Sequence, residues 1–435
     1  MVGRESVSQE KVTSIRGLSG TCDLPGNAEI STMALAVASV AEGVSVIRRC
    51  SVDPWVLAFE DALREIGIRS ARDGETVEVT GGPIEADDGV IVPVGQSVQF
   101  SCLAGLLAGA PFRTQFRAAQ DSGVEAESTI DALKTLGASV SLPVEGMFPL
   151  KLGGRNLVSG SFAIETPATA VKCAMFLAAR GVDGSVTLTQ ATAGEDDLEV
   201  LFRRAGRRID KSRTKTGAGH CLRISGPFQV ESTDHELPGD AGAALFTILS
   251  AAVLARSAVT LQHVGVDLKS RRMMDLIRRM NVSFELKRTQ TASKFHTRQI
   301  QIKGSDLRSV KIAGAYSQLF MDELPFLAVV GASSPGETII REAVHLREGE
   351  TDCISILVEN LRNMQIQVGE MPDGLVIKGG RLQGATVDAK GDARIGLAFI
   401  LGGLVAEGET VVLNPGPVRE LFPGVLERID DLEKV

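Results

Sequence analysis

Aromatic residues are scarce in this chain: Phe, Tyr and Trp make up 4% of its 435 residues, with one Trp and one Tyr. That scarcity, a net charge of −8 and the lack of any basic run argue against a nucleic-acid partner, which would need cations and stacking rings. No apolar stretch approaches the eighteen or so residues that span a bilayer, and the first ten residues lack the apolar core of a signal peptide. The expectation is a cytoplasmic protein with no membrane partner. Six cysteines are scattered without a Cys-x-x-Cys pair, so neither a disulfide framework nor a zinc site is indicated, and Cys22, Cys50, Cys102, Cys173, Cys221 and Cys353 read as structural thiols. The sequence points to no metal and no cofactor.

What the chain has instead is 44% hydrophobic residues drawn mainly from Ala, Val, Leu and Ile, arranged in a repeat. A small-residue-rich apolar helix pattern recurs about every seventy residues, beginning near Ser31, Ser97, Ala168, Asp240, Gln318 and Gly391. Residues 31–47 (STMALAVASVAEGVSVI) and 392–412 (DARIGLAFILGGLVAEGETVV) both read as a helix apolar nearly all round, an Ala-Glu-Gly stop with Gly43 or Gly408 in the left-handed position, and a strand. A second, amphipathic helix follows at residues 59–67, 130–137, 198–206, 273–280 and 354–364. A unit that cannot bury its own apolar face must stack on its neighbours, so six units predict a large enclosed core. The polar stretches 211–219 and 287–298 read as hairpin loops or edge strands, and no long linker is present. The main break lies at residues 235–240, where Pro238 and Gly239 precede Asp240, placed to cap the fourth apolar helix, with three repeats on either side.

Segments 238–241 (PGDA), 322–329 (DELPFLAV), 346–352 (LREGETD), 372–378 (PDGLVIK) and 392–399 (DARIGLAF) resemble the landmark segments of the enolpyruvyl transferases, and most closely those of the 5-enolpyruvylshikimate-3-phosphate synthase branch. Segments 106–112 and 171–177 keep the middle of the chain in register, so the resemblance runs from about Leu24 to Phe422. The resemblance implies an α/β fold: a two-domain inside-out α/β barrel of six βαβαββ units, three per domain. One domain would take residues 1–24 plus 237–435 and the other residues 25–236, with the active-site cleft between them. It also implies transfer of a carboxyvinyl group from phosphoenolpyruvate to a hydroxyl of shikimate 3-phosphate, without a cofactor. The sibling branch that acts on a UDP-sugar is more distant, since its loop cysteine has no counterpart in residues 118–124.

That chemistry places two carboxylates and two phosphates in one closed site, which is prohibitive unless Lys and Arg meet them. Aligned on the family motifs, Ala28 stands where a Lys is expected, Met33 and Ser101 at basic positions, Val124 before Glu125 in place of an Arg, Ala168-Thr169-Ala170 in place of a Ser-Ser-Gln element, Cys353 for an Arg and Glu420 for a Lys. Of about seven cationic positions only Arg394 remains, and losing even three charge-assisted bonds forfeits roughly 5–9 kcal/mol of anion binding. The family's carboxylates persist. Asp322 matches the acid acting on the reacting hydroxyl, Glu323 lies beside it, and Glu350 survives; His345 falls close to a substrate-binding Asn and adds a titratable group.

The expected catalytic set is therefore Asp322, Glu323, His345 and Glu350, and the expected substrate-binding set is Arg394, Asp240, Thr169, Lys172, Arg347 and Arg419. The bland readings are a helix cap for Asp240, a cap or an ion pair with Arg394 for Asp322, and a wall-supporting cation for Lys172. Three functions are open: an enzyme acting on a less charged, shikimate-like cyclic hydroxy acid; a phosphoshikimate carboxyvinyl transferase with a cation set rebuilt from Arg117, Arg271, Arg347 or Arg419; and a non-catalytic paralogue that binds a small molecule or a protein. In the first, phosphoenolpyruvate is not expected to bind. A monomer is expected.

Overall fold

The computed structural model describes residues 8–118, 124–143, 147–153, 156–164, 169–190, 197–214, 219–266, 268–288, 297–348 and 351–435. In chain order its helices are α1 (Ala28–Ser39), α2 (Pro54–Glu65), α3 (Ser97–Leu107), α4 (Glu127–Thr135), α5 (Thr169–Ala178), α6 (Asp197–Arg204), α7 (Ala241–Val253), α8 (Leu268–Arg279), α9 (Ala315–Leu319), α10 (Leu324–Ala332), α11 (Cys353–Asn363), α12 (Ala393–Gly403), α13 (Val418–Leu421) and α14 (Val425–Asp430). The chain divides into a continuous unit, Gly26–Leu237, and a discontinuous unit made of the residues up to Pro25 and those from Pro238 onward. Each has its own apolar core.

The same strand plan recurs in both units. Val90–Val94 runs parallel to Arg113–Ala118, which pairs antiparallel with Leu150–Gly153, which pairs antiparallel with Ser139–Ser141; α3 and α4 fill the connections, giving βαβαββ. Val158–Ile164, Asp183–Gln190, His220–Gly226 and Asp210–Arg213 repeat this order, as do Leu18–Asp23, Ala258–Val264, Arg298–Lys303 and Ser283–Arg288. Lys311–Ile312, Glu337–Ile340, Gly374–Lys378 and Gln367–Met371 form a fourth copy. The polar stretches near 211–219 and 287–298 thus join hairpin arms.

Two sheets are completed out of chain order. The sheet of Ala41–Arg48 takes its parallel neighbours from Val230–Glu231 and His235–Glu236, at the far end of the continuous unit. In the discontinuous unit, Gln9–Thr13 pairs antiparallel with Glu409–Leu413, so the first described strand closes the last repeat. The crossings near Pro25 and Pro238 follow from that closure.

Sequence dictates which helices go inside. Every residue of α1 from Ile30 to Ser39, of α7 from Ala241 to Ala252 and of α10 is buried, as expected of helices apolar all round, whereas α2, α4, α6 and α11 bury one face. Small residues set the spacing. A Cβ on Gly105 of α3 would lie 2.5 Å from the Ala174 carbonyl oxygen of α5, and one on Gly402 of α12 would lie 2.5 Å from Val329 Cγ1 of α10. The Ala174 obstacle is backbone and cannot rotate away, so Gly105→Ala is expected to destabilise the continuous unit by about 1–3 kcal/mol, measured as a lower urea midpoint.

The Ala-Glu-Gly reading needs correction. Helix α1 stops at Ser39 with Val40 as its cap, and Ala41, Glu42 and Gly43 already belong to the following strand. Gly43 does take a positive φ of 102°, but at the point where the strand exchanges Val230–Glu231 for Thr76–Gly81 as partner. Gly408, with φ 103°, likewise sits five residues beyond the end of α12, directly before the strand Glu409–Leu413. A glycine with positive φ serves a strand entry as well as a helix end, and the sequence pattern alone does not separate the two.

Candidate functional site

In the discontinuous unit the inner helices α7, α10 and α12 begin at one end. A Cβ on Gly242, in the first turn of α7, would lie 2.3 Å from Glu323 Oε1 and 3.1 Å from Asp240 Oδ1, which brings the starts of α7 and α10 together. Asp322 acts electrostatically on Arg394, in the first turn of α12. Three helix N-termini, each a concentration of positive dipole, therefore gather here. Their caps come from the chain itself: Asp240 accepts from the Ala243 amide at 2.8 Å, and Asp392 from those of Arg394 and Ile395 at 2.9 and 3.3 Å.

Both cations at this end have carboxylate partners. Lys269, on α8, places Nζ 2.7 Å from Glu323 Oε1 and 5.8 Å from the centre of the Phe320 ring. Burial opposes its charge, but Glu323, then Asp240 and Asp322, outweigh that and push the ammonium pKa up. Glu323 is 3% exposed; burial raises its carboxyl pKa against the pull of Lys269, and its Oε2 is buried without a hydrogen bond. Arg394 directs Nε to Asp392 Oδ1 at 3.1 Å and Nη2 to Asp392 Oδ2 at 2.6 Å. Asp322, in contrast, is exposed. The ion pair between Asp322 and Arg394 considered above is thus replaced by a pair within one helix turn, because the capping carboxylate Asp392 already lies two residues before the guanidinium.

Cys353 completes this network, with Sγ 3.1 Å from Asp392 Oδ2 and 2.9 Å from Arg394 Nη2. Burial, then the bond to Asp392, pushes its thiol up to about 12, so it stays protonated and is no nucleophile near pH 7. Burial opposes ionisation of Asp392, yet the bonds from Arg394 and Cys353 hold its carboxyl at about 2. A carboxyl depressed in the folded state stabilises above its unfolded pKa and loses that contribution as pH falls through the folded value. Asp392 is therefore expected to contribute about 2 kcal/mol above pH ~4, lost between pH ~4 and ~2. Asp392→Asn should flatten acid unfolding of the discontinuous unit in that window.

His345 lies in a 3₁₀ turn, Val344–Leu346, and is half-buried. Burial and the nearby Arg394 push its pKa down against the opposing effect of Asp322 and Glu348, so the ring is neutral near pH 7; Nε2 is buried without a partner. Asp240, Asp322, Glu323, His345 and Arg394 are thus brought to one end, joined by Lys269, Asp392 and Cys353.

Three of the other expected residues, Arg347, Arg419 and Lys172, are paired within their own unit. Arg347 donates Nε to Pro372 O, Nη1 to Asp352 at 2.6 Å, and Nη2 to Glu370 and Met371 O at 2.9 and 2.7 Å, which makes it a clamp between α11 and the hairpin that follows. Arg419 is exposed and paired with Glu427. Thr169 opens α5 in the continuous unit, and Lys172, on the same helix, is buried with Nζ 2.7 Å from Glu199. Glu350 lies outside the described residues. At aligned basic positions, Met33 is buried and Ser101 Oγ bonds Thr129 Oγ1 at 2.8 Å.

Two partners went unrecognised in the sequence. Lys269 sits among Ser270, Arg271 and Arg272 with nothing to rank it above them, and its partner Glu323 is 54 positions away. Asp392 was visible only as part of a motif. Among the described residues no group of three His, Cys, Asp or Glu could hold a metal ion, and no helix is long and apolar enough to cross a membrane.

Six small sheets shared between two units, four of them in βαβαββ order, with inner helices of the discontinuous unit that begin at one end, match the architecture of an enolpyruvyl transferase. Residues 12–429 match the family model described as EPSP synthase (3-phosphoshikimate 1-carboxyvinyltransferase), and the chain belongs to that family. It is similar to the 3-phosphoshikimate 1-carboxyvinyltransferase of Bacillus thuringiensis subsp. konkukian, with 27% identity over 96% of this chain and 97% of that protein. Among solved structures, EPSP synthase of Acinetobacter baumannii superposes with a TM-score of 0.85 at 22% identity, covering 98% of both chains. The enolpyruvyl transferase NikO of Streptomyces tendae superposes with a TM-score of 0.75 at 19% identity, covering 98% of this chain and 97% of that one.

Proposed function

We propose that this family member has diverged to act on a less charged, shikimate-like cyclic hydroxy acid, by elimination or a related step. The observation that carries this reading is the pairing of both cations at the helix N-termini with carboxylates of the chain, Lys269 with Glu323 and Arg394 with Asp392. A doubly charged phosphate entering here would have to compete with those partners, and it would meet Asp240 and Asp322 as well. The aligned basic positions occupied by Ala28, Met33, Ser101 and Cys353 support the same conclusion.

In this reading Asp322, the exposed carboxylate, removes a ring proton. The electron pair of that C–H bond forms the new double bond and expels a neighbouring hydroxyl, which leaves as water with a proton from solvent. Glu323, held by Lys269, lies beside the reacting carboxylate. Neutral His345 accepts a hydrogen bond from the ring, and Arg394 holds the substrate carboxylate. The protein works as a cytoplasmic monomer on a small molecule, with neither nucleic acid nor membrane as partner.

Family membership favours a second reading, carboxyvinyl transfer from phosphoenolpyruvate to shikimate 3-phosphate. Phosphate release on mixing the two separates them: no release above background and no rise in melting temperature with phosphoenolpyruvate are expected. Release at a rate typical of enzymes, ~1 s⁻¹ or more, would overturn the proposal. If neither substrate class produces turnover, the non-catalytic paralogue is the reading that stands.

A further inference from the structure

The charges and unused polar atoms around α7, α10 and α12 define a ligand more narrowly than "cyclic hydroxy acid". Among the described residues, the carboxyls Asp240, Asp322, Glu323 and Asp392 share this end with the cations Lys269 and Arg394, while His345 is neutral. The Arg394 guanidinium spends Nε and Nη2 on Asp392 and Cys353, but its Nη1 makes no hydrogen bond among the described residues. One donor therefore remains for one anionic group. On the acceptor side, Asp322 is exposed and has no hydrogen bond among the described residues, although it acts electrostatically on Lys269, Glu323, His345 and Arg394. Beside it, Glu323 Oε2 and His345 Nε2 are both buried and unpartnered, and Glu323 is 3% exposed. A buried polar atom without a partner costs free energy unless a ligand completes it.

We propose that this end of the discontinuous unit binds a zwitterion: a cyclic acid whose single carboxylate is held by Arg394 and whose ammonium group is held by Asp322. The proposal rests on reading this end as the substrate site and narrows its substrate to the amine-bearing class. An ammonium group brings three donors to an end rich in unpartnered acceptors, Asp322 the exposed one among them, and it offsets the surplus of carboxyls. A hydroxyl brings one donor and leaves the surplus in place. Lys269 is spent on Glu323, so it is not free for a second anionic group. A divalent cation is the poorer occupant, because no three of these side chains are grouped as metal ligands among the described residues.

The test is calorimetric titration of the intact protein with three ring probes: 3-aminocyclohexanecarboxylic acid, 3-hydroxycyclohexanecarboxylic acid and cyclohexylamine. The amino acid is expected to bind at least ~10-fold more tightly than either of the others. Asp322→Asn, at an exposed position, should fold normally by circular dichroism and remove the preference for the amino acid over the hydroxy acid. Equal affinity for the amino and hydroxy acids, a preference that survives Asp322→Asn, or no binding of the amino acid at millimolar concentration would each overturn the proposal. Failure of the broader reading looks different: phosphate release from phosphoenolpyruvate and shikimate 3-phosphate would overturn that reading whatever the three probes do.

Discussion

Lys172→Met is expected to lower the unfolding free energy of the continuous unit by about 3 kcal/mol, toward the low end of the range for breaking a buried ion pair. Lys172 is 2% exposed and its Nζ lies 2.7 Å from Glu199 Oε1, on the neighbouring helix α6. Met preserves most of the aliphatic stem, so the variant reports chiefly on the carboxylate left behind in an apolar setting. Lys211, 3.5 Å from Glu199 Oε2, still offsets part of that charge, which is why the full 3–5 kcal/mol is not expected. The double variant Lys172→Met/Glu199→Gln should recover much of the loss, because replacing both partners removes the stranded charge. Urea unfolding at neutral pH measures both. A single variant as stable as the parent, but impaired in ligand binding, would instead make Lys172 a ligand cation, as the sequence resemblance suggests.

The contrast between Lys172 and Lys269 shows where the sequence is informative. The six helices apolar on every side announce themselves as interior, and the five amphipathic ones announce a covered face. Both follow from periodicity, which is local. Asp240 is legible for the same reason: Pro-Gly-Asp before an apolar run predicts a cap, and the side chain accepts from the Ala243 amide. Ion-pair partners are not local. Lys269 meets Glu323 only because α8 returns beside the start of α10, and Arg347 is a clamp only because the hairpin around Pro372 closes over it. A family motif places Arg394 in the site but says nothing of its two bonds to Asp392. The side chains that a resemblance marks as binding residues thus divide into those with donors to spare and those without.

That division bears on the charge balance of this end. Lys269 pairs with Glu323, with further pull from Asp240 and Asp322 on its ammonium. Arg394 pairs with Asp392 and also donates to the Cys353 sulfur. The helix dipoles still favour negative charge at this end, but the caps Asp240 and Asp392 already lie there. Among the described residues at this end, a guanidinium nitrogen of Arg394 and the exposed carboxylate of Asp322 make no hydrogen bond.

Acid is expected to weaken the continuous unit well before it touches the Asp392 network. His235, in the strand His235–Glu236 beside Ile47 and Arg48, is 1% exposed. Burial, reinforced by Arg204 and only partly opposed by Asp234, pushes its pKa down to about 3. The unfolded chain takes up a proton near pH 6.5 that the folded chain refuses, so stability is complete above that pH and falls as pH drops toward 3. At about 1.4 kcal/mol per unit of pH, the loss reaches roughly 3 kcal/mol by pH 4. His235→Gln removes the titrating group and should flatten urea midpoints measured between pH 7 and 4. An unchanged slope would mean that another group carries the proton uptake. The loss of the Asp392 contribution is confined to pH values below about 4, so the two effects separate by pH as well as by unit. Binding experiments on Asp322 and Arg394 therefore belong near pH 7, where neither loss is under way and the neutral ring of His345 is retained.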